Sequence, residues 1–149
     1  IPDVYPMDIN FGGIYSPNVC FFRNNLSEHY SLKEKTFDCS IVTVASLSNR
    51  ETNDYTNDES MYFDNNGYLT SEGKEIEKNK IRTIYRIALD NNHDSIVLGA
   101  FGCGVNRLHP EEVSKLFKEI VEEDEFKNAF KVWLISVILL IEETTPELW

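Results

Sequence analysis

Residues 95–110 read Ser-Ile-Val-Leu-Gly-Ala-Phe-Gly-Cys-Gly-Val-Asn-Arg-Leu-His-Pro, an apolar strand that empties into a glycine-rich loop and then opens a helix. Ser95 to Ala100 has the length and the unbroken apolar run of a buried strand. Pro110-Glu111-Glu112 has the composition of a first helical turn, with proline where a missing N–H is tolerated and carboxylates at the positive end of the dipole. Gly99, Gly102 and Gly104 let the backbone come close to a ligand. Amides left unpaired at such a junction attract negative charge, so a phosphate or diphosphate is the expected guest. A Gly-x-Gly pair also suits a tight strand-to-helix connection, and the spacing alone does not separate the two readings. The loop lacks the Lys-Ser/Thr ending of a P-loop. It also lacks the spacing and downstream acidic residue of a dinucleotide-binding turn, which demotes both classes.

Before this loop, residues 71–90 carry a helical pattern with Ile81, Ile84, Tyr85 and Ala88 on one face, ending near Asp90-Asn91-Asn92. After it, Val113, Leu116, Phe117 and Ile120 mark a second amphipathic helix, and Lys131 to Ile141 reads as a final strand. Toward the N-terminus, Ile1 to Asn10 is irregular, a turn-rich stretch enters a strand at Val19 to Phe22, and Asn24 to Thr36 is polar and turn-like. Asp38 to Ala45 has the β-branched content of a central strand, and Leu47 to Thr70 reads as a long loop. Alternating helices and apolar strands make this an α/β chain with a largely parallel or mixed sheet, expected as a single domain over residues 1–149.

Bulk properties exclude some partners. A formal net charge of −11 over 149 residues argues against nonspecific nucleic-acid binding, so a phosphorylated ligand has to be held locally by oriented amides. The final apolar run is too short for a membrane-spanning helix, which takes about 20 residues. Cys20, Cys39 and Cys103 are odd in number and show no CxxC spacing, which points to a reducing, intracellular and most simply cytoplasmic setting, nuclear in a eukaryote. His29, His93 and His109 form no ligand-spaced pair, so no metal is expected. Cys103 would need a base to act as a nucleophile and reads better as an inert core thiol. The carboxylates Glu111-Glu112 and 122–125 read as a helix start and a solvated helix end. His93 reads as the cap of a helix-to-strand turn, and Tyr15 and Phe22 are open between core packing and stacking on a base.

Three ordered blocks, Gly12 to Val19, Ser40 to Thr43 and His93 to Val105, resemble the microbial-type poly(ADP-ribose) glycohydrolase family. The resemblance runs from about Tyr5 to Lys131. It implies a macrodomain-like mixed sheet flanked by helices, incomplete at its N-terminus, whose ligand is ADP-ribose free or attached to protein, with no cofactor. It also implies that Gly102, Cys103, Gly104, Val105 and Asn106 hold the diphosphate and ribose, with Tyr15 and Ser16 as further ligand candidates. Two features depart from the family. Its Gly-Gly-Gly and Gln-Glu-Glu signature, which carries the general-acid glutamate, is absent, so no catalytic residue is assigned and this chain alone is expected to be inactive. Asn106 stands where the family usually has an aromatic residue against the distal ribose. The expectation is a C-terminal portion of a longer product, with a degenerate family member or a noncatalytic ADP-ribose reader as alternatives.

Overall fold

The computed structural model describes residues 5–50 and 59–135. Its regular elements are β1 (Ile14–Arg23), β2 (Leu32–Thr43), α1 (Ser71–Asp90), β3 (Ser95–Leu98), α2 (Pro110–Val121) and β4 (Val132–Ile135). The strands pair as two separate two-stranded sheets, β1 antiparallel with β2 and β3 parallel with β4. Both pairing senses expected of a mixed sheet are therefore present, but no strand joins the two halves among the described residues.

The helices form where the apolar spacing places them. Thr70 caps α1 by accepting the Gly73 amide at 3.2 Å, and Ile76, Ile81, Ile84, Tyr85 and Ala88 line its buried face. Proline occupies the first turn of α2, whose Val113, Leu116, Phe117 and Ile120 are buried against α1. Tyr85 anchors the seam, with ring centroids 6.3 Å from Phe117 and 5.3 Å from Phe126. At its rim the Arg82 guanidinium grips the Glu123 carboxylate and Arg86 that of Glu125. Two carboxylates of the acidic run thus tie the segment after α2 to α1, instead of standing free at a solvated helix end. Losing the Thr70 cap by Thr70→Ala is expected to lower stability by about 1 kcal/mol, measured by urea titration, with the helical circular dichroism of the native state unchanged.

Strand boundaries differ from the sequence expectation, β1 beginning at Ile14 rather than Val19. The polar stretch taken as a turn already contains the start of β2 at Leu32. The outer half of the β1–β2 ribbon is exposed, so Lys33-Glu34-Lys35 sit in a strand without an apolar alternation to reveal it. β2 ends at Thr43, and among the described residues its pairing partner is β1. β3 stops at Leu98 rather than Ala100. Only residues 132–135 of the final strand fall within the described part, and 136–141 lie outside it. Within the long loop, residues 59–70 are ordered locally: a 3-10 turn at Ser60–Tyr62 leads to a bridge between Phe63 and Leu69, closed by the Asp64 carboxylate accepting the Asn66 and Tyr68 amides.

Candidate functional site

β2 and β3 run in the same direction on either side of a gap, and two links fix their separation. At the starting ends, the Tyr15 hydroxyl donates to Ser40 Oγ at 3.0 Å and lies 2.8 Å from His93 Nε2. At the finishing ends, Asn106 donates from Nδ2 to Ser46 Oγ at 2.8 Å and accepts the Asn49 amide on its carbonyl at 2.9 Å. The loops 46–49 and 99–108 are therefore joined beyond the carboxyl ends of two strands, which is where open α/β sheets take their ligands.

The glycine loop holds its own shape. Gly102 has φ +71, and a Cβ there would sit 2.7 Å from Ser46 Oγ and 2.9 Å from Leu108 Cδ2, so only glycine fits. The Leu108 amide returns to the Gly102 carbonyl at 3.0 Å, and the buried Leu108 side chain pins the loop to the core. Gly104 is different: a Cβ there meets nothing within 4 Å and its φ is not positive. The tight turn explains Gly102 and leaves Gly104 unexplained. Among the described residues, the amides of Gly102, Gly104, Val105 and Asn106 donate to no protein acceptor, whereas those of Cys103 and Arg107 bond within the loop. Free N–H groups on a fixed loop are the kind of donors from which anion sites are built.

This loop lies before α2 in the chain. Glu111 and Glu112 occupy the first turn of α2, where Glu112 accepts the Leu69 amide at 3.0 Å and pairs with Lys74 at 3.2 Å. Its neighbour His109 stacks on Tyr68 with centroids 4.0 Å apart. Cys103 is half-buried and directs its thiol to the Phe101 carbonyl; burial, helped by the charge of Glu77, raises its pKa and disfavours the thiolate. Asn106 spends its amide nitrogen on Ser46. Tyr15 stands at the opposite end of β3, a strand of about 13 Å by its rise per residue. Ser16 is in β1, paired with Ile41. The structure thus groups Gly102 to Asn106 together and keeps Tyr15 apart from them. His93 does more than close a turn, since its ring ties β1 to the start of β3.

The residues that support the site from beneath escaped the sequence. Glu77 is fully buried, and its Oε2 accepts the Leu47 amide at 3.0 Å, fixing the 46–49 loop. Glu59 accepts the next amide, that of Ser48, at 2.6 Å. Glu77 Oε1 has no hydrogen-bond partner among the described residues, and burial raises this carboxyl to a pKa of about 7, against the lowering effects of the Leu47 amide and Lys80. Lys80 is itself buried, which lowers its pKa while Glu77 and Glu59 raise it. One signal was legible: Glu77 lies four residues before Ile81 and seven before Ile84, on the apolar stripe of α1. A charge in that register either breaks the stripe or has a buried task.

No family model and no curated protein matches the sequence. Solved structures do. A poly(ADP-ribose) glycohydrolase variant from Deinococcus radiodurans, crystallised with ADP-ribose, is 25% identical with a TM-score of 0.62, over 83% of this chain and 44% of that one. Another structure of the Deinococcus radiodurans glycohydrolase with ADP-ribose is 21% identical with a TM-score of 0.65, over 89% of this chain and 52% of that one. The glycohydrolase from Thermomonospora curvata is 21% identical with a TM-score of 0.64, over 85% and 42%. The chain has the α/β fold of these glycohydrolase macrodomains and spans about half their length. Among the described residues, no helix is long and apolar enough to cross a membrane.

Proposed function

We propose that this chain is the ADP-ribose-binding part of a poly(ADP-ribose) glycohydrolase-like macrodomain. The free amides of Gly102, Gly104, Val105 and Asn106 hold the diphosphate. The observation that carries this reading is Gly104: its Cβ position opens onto empty space in a loop whose neighbouring amides have no acceptor, a pattern that a turn does not need and a close-lying anion does. The fold match to glycohydrolases solved with ADP-ribose supports the choice of anion. With a net charge of −11, affinity comes from these directed N–H groups, with Arg107 at the loop's end as the nearest cation in sequence.

In an intact enzyme of this class, a carboxylic acid protonates the leaving oxygen of the ribose–ribose bond while water attacks an oxocarbenium-like anomeric carbon. The role of Gly102 to Asn106 in that reaction is to hold the diphosphate and so place the ribose, while the acid comes from elsewhere. The carboxylates supporting these loops, Glu59, Glu77 and Glu112, each accept a backbone amide and so hold the loops in place. A second reading is a noncatalytic ADP-ribose reader, in which the same amides bind the ligand and no acid is required. Protein-linked ADP-ribose is the partner under either reading, in an intracellular setting, without direct nucleic-acid contact.

Incubation with ADP-ribose polymer separates the two. The chain is expected to bind ADP-ribose and release none from polymer. Hydrolysis by the full-length gene product would establish the enzyme, and binding that stays inert there would establish the reader. A folded sample with no affinity for ADP-ribose would remove both.

A further inference from the structure

Three successive amides of the 46–49 loop are each held by an acceptor from elsewhere in the chain. Leu47 donates to Glu77 Oε2 at 3.0 Å, Ser48 to Glu59 Oε2 at 2.6 Å and Asn49 to the Asn106 carbonyl at 2.9 Å. The loop so fixed is the surface against which the glycine loop folds: Ser46 Oγ accepts from Asn106 Nδ2 and lies 2.7 Å from where a Gly102 Cβ would stand. Glu77 is the fully buried carboxylate of the pair, on the apolar face of α1. Its two oxygens are unequal. Oε2 is spent on Leu47, whereas Oε1 is buried with no partner among the described residues. A buried oxygen without a partner is most costly when it belongs to a charge, because the whole charge has then lost its water. A proton on Oε1 neutralises the group and leaves Oε2 free to keep the Leu47 bond. Holding the loop and carrying a charge are therefore separable tasks at Glu77.

The charge, when present, acts on the glycine loop. It opposes the thiolate of Cys103, which sits between Gly102 and Gly104, and a diphosphate on the free amides of this loop would bring further negative charge to the same place. Repulsion in a partly buried setting is poorly screened. The other ionisable groups around Glu77 among the described residues are Lys80 on α1, Glu59 beside Ser48 and Cys103 itself, with Asp8 reaching Lys80. Burial, the largest influence, opposes the charged form of Glu77, as Glu59 does; the Leu47 amide and Lys80 favour it.

We infer that Glu77 is a positioning residue for the diphosphate site, and that ADP-ribose binding there is coupled to proton uptake on Glu77 Oε1. The neutral group holds Leu47, and through Ser46 and Asn49 the glycine loop, without opposing the anion that the loop receives. The ionised group holds the same amide and repels that anion. Linkage is reciprocal, so a ligand favoured by the protonated form also raises the population of that form. Affinity is therefore highest below about pH 7, where Glu77 carries its proton in the free chain, and declines as pH rises through that value. The diphosphate of ADP-ribose does not titrate in this range, so the dependence belongs to the protein. The coupling rests on the placement of the diphosphate on the glycine loop.

The test is calorimetric titration of the 149-residue chain with ADP-ribose at several pH values from 6 to 8, in buffers of different ionisation enthalpy, with thermal melts to establish that each sample is folded. Affinity is expected to fall about fivefold from pH 6 to pH 8, with about half a proton taken up per ligand near pH 7.5. Glu77→Gln keeps an acceptor for the Leu47 amide and cannot ionise, so its affinity is expected to be flat across the range, with no proton uptake. Glu77→Leu removes the acceptor and is expected to bind about tenfold more weakly at every pH, a loss that the glutamine variant does not share. A flat profile in the parent, absence of proton uptake, or the parent's slope persisting in Glu77→Gln would overturn the coupling. Parent-like affinity in a folded Glu77→Leu would overturn the positioning role; if that variant fails to fold, Leu47 amide exchange that ADP-ribose leaves unchanged in the parent would do so. A folded chain that binds no ADP-ribose at any pH removes the site itself and this inference with it, a result distinct from pH-independent binding, which removes the coupling alone.

Discussion

Replacement of Gly104 by valine is expected to reduce ADP-ribose affinity by at least about a hundredfold while leaving the thermal midpoint within about two degrees of the parent. The asymmetry follows from the space around the residue. A Cβ at Gly104 touches no protein atom and the backbone conformation is open to any residue, so folding is indifferent to the change. The same methyl groups would project into the volume that a diphosphate must enter to reach the amides of Gly104, Val105 and Asn106, and a displaced anion loses several charge-assisted hydrogen bonds at once. Gly102→Val is the contrasting variant. With φ +71 and atoms within 3 Å of the new Cβ, it is expected to cost about 2–4 kcal/mol of stability, visible in urea denaturation before any ligand is added. Calorimetric titration with ADP-ribose beside thermal melts of both variants checks the pair. Parent-like affinity in Gly104→Val would take the loop out of the binding site.

The second large effect is a pH dependence of stability centred on Glu77. Its pKa is about 7 in the folded chain, raised from 4.5 chiefly by burial. Below about pH 4.5 the group carries its proton in both folded and unfolded chains and has no influence on the balance. Between about pH 4.5 and 7 the unfolded chain loses that proton and the folded chain keeps it, so stability falls as pH rises; above 7 the full penalty, about 3 kcal/mol, remains. Lys80, whose pKa is lowered by burial, acts in the opposite sense toward the alkaline end, and the exposed carboxylates with lowered pKa values, Asp8, Asp94 and Glu125, act below this window. Glu77→Gln keeps a neutral acceptor for the Leu47 amide and removes the titration. Urea titrations between pH 5 and 8 are expected to show the parent losing about 2.5 kcal/mol relative to the variant. Parallel curves would mean that Glu77 ionises alike in both states.

What the sequence revealed and what it hid have physical causes. Helices α1 and α2 were legible because each buries one stripe: Ile81, Ile84, Tyr85 and Ala88 repeat at helical spacing, and Pro110 marks the first turn of α2. The start of β2 was hidden because the outer half of the β1–β2 ribbon has no buried face, so nothing forces the alternation that would announce a strand at Leu32. The glycine loop was visible as a motif but not as two different glycines, because the difference lies in neighbours 56 residues away, where Ser46 crowds Gly102 and nothing crowds Gly104. Glu59 was missed because a carboxylate that holds a distant amide looks, in one dimension, like any surface charge on a polar loop, whereas Glu77 betrays itself only by its place on the apolar stripe of α1.

The most direct measurement is an amide chemical-shift map of the 149-residue chain titrated with ADP-ribose. Saturable shifts are expected at Gly102, Gly104, Val105 and Asn106, with smaller ones at Ser46 and Asn49 through the hydrogen bonds that join the two loops. A folded chain whose loop amides stay still, or whose shifts gather around Tyr15 and His93 at the other end of β3, would contradict the placement of the diphosphate on this loop.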